Sequence, residues 1–243
     1  MALTDDLISY WKFDESSGNA DDAVSTNDLT NNGTAVYGAA KINNGVTADT
    51  TGPQFMSKAS PSGIPGGGAQ GTDLSFSFWI KVNTTPAENS SDVLIGIWDA
   101  NDGDNRSWLL QYTHFTGGAK ALRFFSRDAG NNNFFTNQSQ TLTEGTFYHI
   151  VGTFNAATAE KEVWVDGVSL GVTGTQGSNL RSSSADFTVG SDDGGTEYAD
   201  AQFDELGIWD RVLTDGEIAE LYNSGAGFQY PFVGGPFWQI VYS

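Results

Sequence analysis

Two acidic stretches hold the side chains best suited to chemistry. In "DANDGDNR", Asp99, Asp102 and Asp104 crowd together between Trp98 and Trp108. Carboxylates accept hydrogen bonds from sugar hydroxyls while an indole stacks on the apolar face of a pyranose, so a loop of this composition can present a sugar site. The same letters also describe a plain turn with core tryptophans on either side. An EF-hand is excluded, because its loop requires Gly at the sixth position and Glu at the twelfth; here Gly103 falls at the fifth and no such Glu follows. In "GSDDGGTEYAD", Asp192 and Asp193 are adjacent, and neighbouring carboxylates repel unless solvated or bridged by a cation. That loop is either an exposed turn or a metal site, and it is expected to face the same end of the molecule as the first. The two histidines, His114 and His149, sit in strand-like runs and read as structural.

The whole chain narrows these options. Thirty acidic residues against eleven basic ones give a net charge of −19 over 243 residues. A field of that sign repels phosphate backbones and anionic bilayers, so neither nucleic acid nor a membrane is an expected partner. The acidity suits a solvated surface, and acidic loops are also where hard cations bind. With no cysteine there is no disulfide, thiol nucleophile or thiolate metal site. The opening "MALTDDLISYWKFDE" lacks the basic start and apolar run of a secretory signal, and no stretch approaches the ~20 apolar residues that span a bilayer.

The elements that would position these loops are strands. Thirty glycines and many Ser, Thr, Asn and Asp residues punctuate short apolar runs, which points to an antiparallel all-β protein. In "LSFSFWIKV", Leu74, Phe76, Phe78, Ile80 and Val82 share one face and Ser75, Ser77, Trp79 and Lys81 the other, the pattern of a half-buried strand. Similar runs recur in "DVLIGIW", "SWLLQYTHF", "ALRFFSR", "FYHIVGTF" and "DFTVG", predicting a two-sheet sandwich. Asp166-Gly167 predicts a two-residue hairpin turn. "GIPGGGAQG" reads as a flexible connector inside one domain. "LTDGEIAELYNSG" predicts a short helix: Thr214 as N-cap with Glu217 completing a capping box, Leu213 facing Ile218 as a hydrophobic staple, and Gly225 as terminator.

"FDELGIWDR" followed by that helix resembles the C-terminal signature of concanavalin A-like, laminin-G-like jelly rolls of the pentraxin-like kind. "LISYWKFDESSGNADDAVSTNDLTNNG" is similar to their N-terminal signature, with "FSFWIKV", "FYHIVGTFN" and "VWVDGVSLG" in the family's order between them. The resemblance implies a two-sheet antiparallel jelly roll with its first and last strands, Leu7 to Phe13 and Phe203 to Ile208, paired in one sheet and the helix closing one end. It also implies a structural calcium ion held by Asp22, Asn27 and Asp204; the alternative is that Asp22 and Asn27 form turns and Asp204 ends a strand. Glucanases of this fold place acid and nucleophile in a Glu-x-Asp-x-Glu string, and no such string occurs here.

The expected function is therefore a non-catalytic binding or adhesion module for a glycan or protein surface, working outside a cell or on a virion. The alternative is a phage head decoration or tail appendage protein; a glycoside hydrolase is the third reading. Residues 1–227 form the jelly-roll domain. Residues 228–243, "FQYPFVGGPFWQIVYS", carry no charge. So aromatic a tail must be covered, either by folding back on its own sandwich as an extra edge strand or by docking through Phe232, Phe237, Trp238 and Tyr242 on another copy or a capsid or tail protein.

Overall fold

The computed structural model describes residues 1–50, 54–173, 177 and 179–233. Among these, fifteen strands form two antiparallel sheets. One contains β1 (Leu7–Trp11), β3 (Val36–Ala39), β4 (Asn44–Ala48), β6 (Leu74–Val82), β11 (Phe147–Asn155), β12 (Glu160–Val165), β13 (Val168–Thr173) and β15 (Ala201–Trp209), in the order β13-β12-β11-β6-β15-β4-β3 with β1 also on β15. The other contains β2 (Thr30–Asn32), β5 (Phe55–Lys58), β7 (Ser90–Trp98), β8 (Arg106–His114), β9 (Lys120–Arg127), β10 (Asn133–Ser139) and β14 (Phe187–Val189), in the order β10-β9-β8-β7-β14-β5-β2. This is the expected jelly roll. The first and last strands pair as anticipated, Leu7 opposite Trp209 and Trp11 opposite Leu206.

β15 organises the first sheet. Along one side it pairs with β6; along the other it pairs first with β4 and then with β1. A bulge at Asp204–Glu205, with Glu205 at φ 53°, lies where that switch happens. Bulges of this kind re-aim side chains.

Between the sheets, alternate residues interdigitate: Phe76, Phe78 and Ile80 from β6 meet Trp108, Leu110, Phe124 and Phe187, with Trp108 stacked on Phe76 at 5.6 Å. Into this core β12 sends Lys161, whose Nζ reaches Phe124 O at 2.9 Å, Phe134 O at 3.1 Å and Ser126 Oγ at 3.1 Å. Burial pushes the amine down to about 6. Nζ donates to all three oxygens, the two carbonyls and the serine hydroxyl, which satisfies the buried amine.

The hairpin turn is present, with both Asp166 (φ 52°) and Gly167 (φ 74°) left-handed. So is the helix, α1 (Asp215–Tyr222), with its capping box. Its end differs: Asn223 (φ 48°) takes the left-handed capping position that Gly225 was expected to fill. Asn tolerates that conformation through local hydrogen bonding, and its Nδ2 donates to Gly227 O at 2.9 Å.

The helix also lies elsewhere than expected. Leu213, Ile218 and Leu221 pack with Trp209, Trp164, Val151 and Tyr10 in a second apolar cluster on the outer face of the first sheet, rather than closing one end of the main core. Arg211 fixes it there by a bidentate pair with Glu217, 2.7 and 2.9 Å, while donating to Ala2 O and Asp5 O. This second layer corrects the reading of β6 as half-buried: Ser75, Ser77 and Trp79 are also out of water. The glycine-rich connector packs as well, with Ile64 in the core and Pro65 O accepting Trp108 Nε1 at 2.8 Å.

Candidate functional site

The acidic loop between β7 and β8 meets the Asp192–Asp193 loop, as expected. Asp193 N donates to Trp98 O at 2.9 Å and Asn101 Nδ2 to Gly194 O at 3.3 Å. Most of the polar groups there serve the loops themselves. Asp99 Oδ1 accepts from Asn101 N and Asp102 N; Asp102 accepts from Asp104 N and Asn105 Nδ2; Asp104 pairs with Arg181 at 3.3 Å. Arg106 donates to Asp99 O and Ala100 O, and Arg127 and Arg181 both donate to Gly103 O. Asp192 is 1% exposed and accepts from Gly194 N, Thr196 N, Thr196 Oγ1 and Glu197 N. Asp193 accepts from Asp186 N, and burial raises its carboxyl pKa. The two tryptophans do not flank an open platform. Trp108 is 0% exposed because β8 turns it into the core; Trp98 is 9% exposed, lying against Phe125 with the Arg106 guanidinium 5.2 Å above its ring.

The residues expected to hold calcium divide into two places. Asp22 and Asn27 come together beside β1. Asp22 Oδ1 accepts from Tyr10 N and Val24 N, and Oδ2 from Ser25 Oγ and Asn27 N. Burial alone would raise this carboxyl, but those donors, Ser25 foremost, hold it below the usual range. Asn27 Oδ1 accepts Ser62 N, and its Nδ2 donates to Ser9, Ser25 and Ser62. Asp204, at the β15 bulge, has Oδ2 on Ile42 N at 2.8 Å and a buried Oδ1 without a partner. Burial, with Glu205 and Asp14 nearby, pushes it up to about 9. Asp22, with four hydrogen bonds accepted, does not fit as a metal ligand; Asn27 Oδ1 is taken by Ser62 N, and Asp204 keeps one carboxyl oxygen without a partner. Among the described residues no group of three or more His, Asp or Glu side chains is arranged to hold a metal ion.

Phe232 packs on its own chain, edge-on to Tyr10 (5.4 Å) and Tyr230 (5.6 Å) and against Phe228 (5.5 Å). The beginning of the tail therefore packs back on its own chain, through ring contacts and not as an edge strand. Phe237, Trp238 and Tyr242 lie outside the described residues.

A different arrangement occupies the outward face of the second sheet. Gln111, Arg123 and Asn137 are register partners across β8, β9 and β10, and Leu109, Phe125 and Phe135 form the next row. Arg123 Nε donates to Asn137 Oδ1 at 2.6 Å, and its guanidinium lies 5.0 Å from the Phe115 ring, 5.3 Å from Phe135 and 5.6 Å from Phe125. Phe135 is 53% exposed. Cation–π attraction and stacking hold a guanidinium flat in such a nest. Partial burial lowers the arginine's pKa, an effect that nearby Glu197 opposes. Glu197 itself is engaged by Gln111 Nε2, and burial raises its carboxyl.

Beside Arg123 the surface dips into a hollow of about 200 Å³, at the opposite end of β7 and β8 from the acidic loop. Asn89, Ser90 and Ser91 form one wall; Thr113, His114 and Phe115 form the other. Ser91 Oγ and Thr113 Oγ1 share a hydrogen bond of 3.0 Å. His114 Nδ1 lies 2.9 Å from Pro86 O; a carbonyl only accepts, so Nδ1 carries the hydrogen and Nε2 of the neutral ring is an acceptor. Asn89 Oδ1 accepts from Thr116, leaving its Nδ2 as a donor. Sequence reasoning missed this site because its chemistry comes from residues brought together by register. The alternation in "ALRFFSR", which puts Arg123 and Phe125 on one face, was the available signal.

The fold is similar to that of several solved structures. The binding domain of paraclostridial mosquitocidal protein 1 superposes with a TM-score of 0.70 at 15% identity, covering 92% of this chain and 53% of that one. Domain 4 of AbnA, a GH43 extracellular arabinanase from Geobacillus stearothermophilus solved with arabinotriose, gives 0.64 at 16% identity and covers 91% and 98%. The binding domain of botulinum neurotoxin DC in complex with SialylT gives 0.66 at 13% identity, covering 92% and 52%. The chain thus spans about half the length of the two toxin domains. No curated protein sequence matches it. Residues 57–219 match the Laminin_G_3 family model, described as the concanavalin A-like lectin/glucanases superfamily, and with the jelly roll above this makes the chain a member of that family.

Proposed function

We propose that this protein is a non-catalytic glycan-recognition module and that the hollow beside Arg123 receives the sugar. The observation that carries the reading is the lining: a donor amide, a hydroxyl pair, an acceptor imidazole nitrogen and a phenyl ring converge on one depression. Sugar hydroxyls both donate and accept, and a few placed polar groups against an aromatic surface are how small-molecule sites orient such ligands. Among the described residues no Asp or Glu lines the hollow, whereas glycoside hydrolysis at this position would need two carboxylates across the scissile bond. Binding of arabinotriose by the arabinanase domain and of SialylT by the neurotoxin domain agrees with a recognition role for this fold. Calcium, if bound, uses Asp204 with partners other than Asp22 and Asn27.

The test is a glycan array probed with the full chain. Hits are expected, and they should disappear in Phe115→Ala and Thr113→Val while the melting temperature of each variant stays within a few degrees of the parent. An array without hits, or turnover of any polysaccharide in a hydrolase panel, would overturn the reading.

A further inference from the structure

The five arginines are not used alike. Arg211 is spent on Glu217, Arg181 on Asp104 and Gly103 O, and Arg106 and Arg127 on loop carbonyls. Arg123 makes no ion pair among the described residues, in a chain whose net charge is −19. Its Nε is fixed by Asn137 and its guanidinium carbon sits among three phenyl rings, while no hydrogen bond among the described residues engages either Nη. A guanidinium held in this way has its orientation set before any ligand arrives. Its remaining donor edge is the two-pronged end that matches a planar carboxylate.

Resting on the glycan reading above, we propose that the site is specific for acidic sugars: Arg123 takes the carboxylate of a uronic- or sialic-type residue, and the hollow holds that residue's ring. Two features favour a sugar acid over an acidic peptide. The remaining lining is neutral and hydroxyl-matching, through Asn89, Ser91, Thr113 and His114, and Phe115 supplies an apolar wall beside the cation. The volume, about 200 Å³, falls below the roughly 300–1,000 Å³ of sites that engulf larger ligands, so it suits one terminal ring. The overall negative charge does not defeat this. At physiological ionic strength charges beyond about 8 Å are largely screened, and Glu197, which does feel Arg123, makes no ion pair with it and is held by Gln111 Nε2.

The experiment measures Kd for the full chain against immobilised oligosaccharides ending in glucuronate, galacturonate or N-acetylneuraminate, each beside its carboxyl-reduced counterpart, and against poly-glutamate. At least one acidic glycan is expected to bind ten-fold or more tighter than its reduced partner. Arg123→Met keeps the apolar stem over the rings and should abolish that ratio, while Arg123→Lys should restore part of it. Melting curves identify any variant that fails to fold; the wild-type comparison of acid with reduced sugar stands without variants. Equal binding of acid and reduced forms overturns the acidic-sugar assignment and leaves the glycan reading intact. Tighter binding of poly-glutamate than of every glycan, or no glycan binding at all, overturns both.

Discussion

The two ends of the β7–β8 pair make an instructive contrast. At one end lies the loop 99–105 with its neighbour 192–196, dense in carboxylates and rich in charge. At the other, about 27 Å away by the rise of a nine-residue strand, lies the hollow beside Arg123. The acidic end has far more functional groups, yet it turns most of them inward: Asp99, Asp102 and Asp192 bind loop amides and the arginines bind loop carbonyls. The hollow has fewer, and among the described residues leaves Arg123 Nη1 and Nη2, Asn89 Nδ2 and His114 Nε2 uncommitted. Density of charge is a guide to how a loop holds its own shape. Uncommitted polar atoms on a rigid sheet are a better guide to where a ligand is received.

The contrast can be broken by substitution, beginning with the largest effect. Asp192→Ala leaves three part-buried backbone amides without their charged acceptor and should cost about 3 kcal/mol. For a chain of this length that lowers the melting temperature by about 6–12 °C. Glycan affinity of the folded fraction should stay within about three-fold, and a selective loss of binding with unchanged melting would reverse the roles assigned to the two ends. Arg123→Met should do the opposite, weakening acidic-glycan binding at least ten-fold, about 1.4 kcal/mol, with little change in melting. Asp22→Asn disturbs the four-donor turn beside β1 and should cost about 1 kcal/mol, equally in calcium and in chelator. A loss seen only in calcium would return Asp22 to a metal site. Smallest, Asp99→Ala removes one half-exposed turn acceptor and should cost about 0.5–1 kcal/mol without altering affinity, as differential scanning calorimetry and the array together would register.

The fold was legible because its signals are local and periodic. Alternation marked β6, β8, β9 and β11, Asp166-Gly167 marked a turn, and Thr214 with Glu217 marked the helix start. Each states its own structure within a few residues. The second layer over the first sheet was not legible, since nothing within "LSFSFWIKV" tells that Trp79 is covered by Tyr222 of a helix some 140 residues later. The acidic loops were found to meet, as read, but their internal hydrogen bonding follows from backbone geometry that composition does not encode. Trp108 reads identically as core or as platform until the strand's facing is fixed by its neighbours. Arg123 is illegible alone, because its meaning depends on Phe115, Phe135 and Asn137 arriving by way of two further strands.

On the proposed reading, the uncommitted end of this hairpin pair is where the glycan is received. Backbone-amide chemical-shift mapping of the full chain during titration with a glucuronate-terminated oligosaccharide tests it most directly. The largest shifts are expected at Ser91, Thr113, His114, Phe115 and Arg123, with residues 99–105 and 192–196 unmoved. Shifts concentrated at 99–105 and 192–196, with the Arg123 hollow silent, would contradict it.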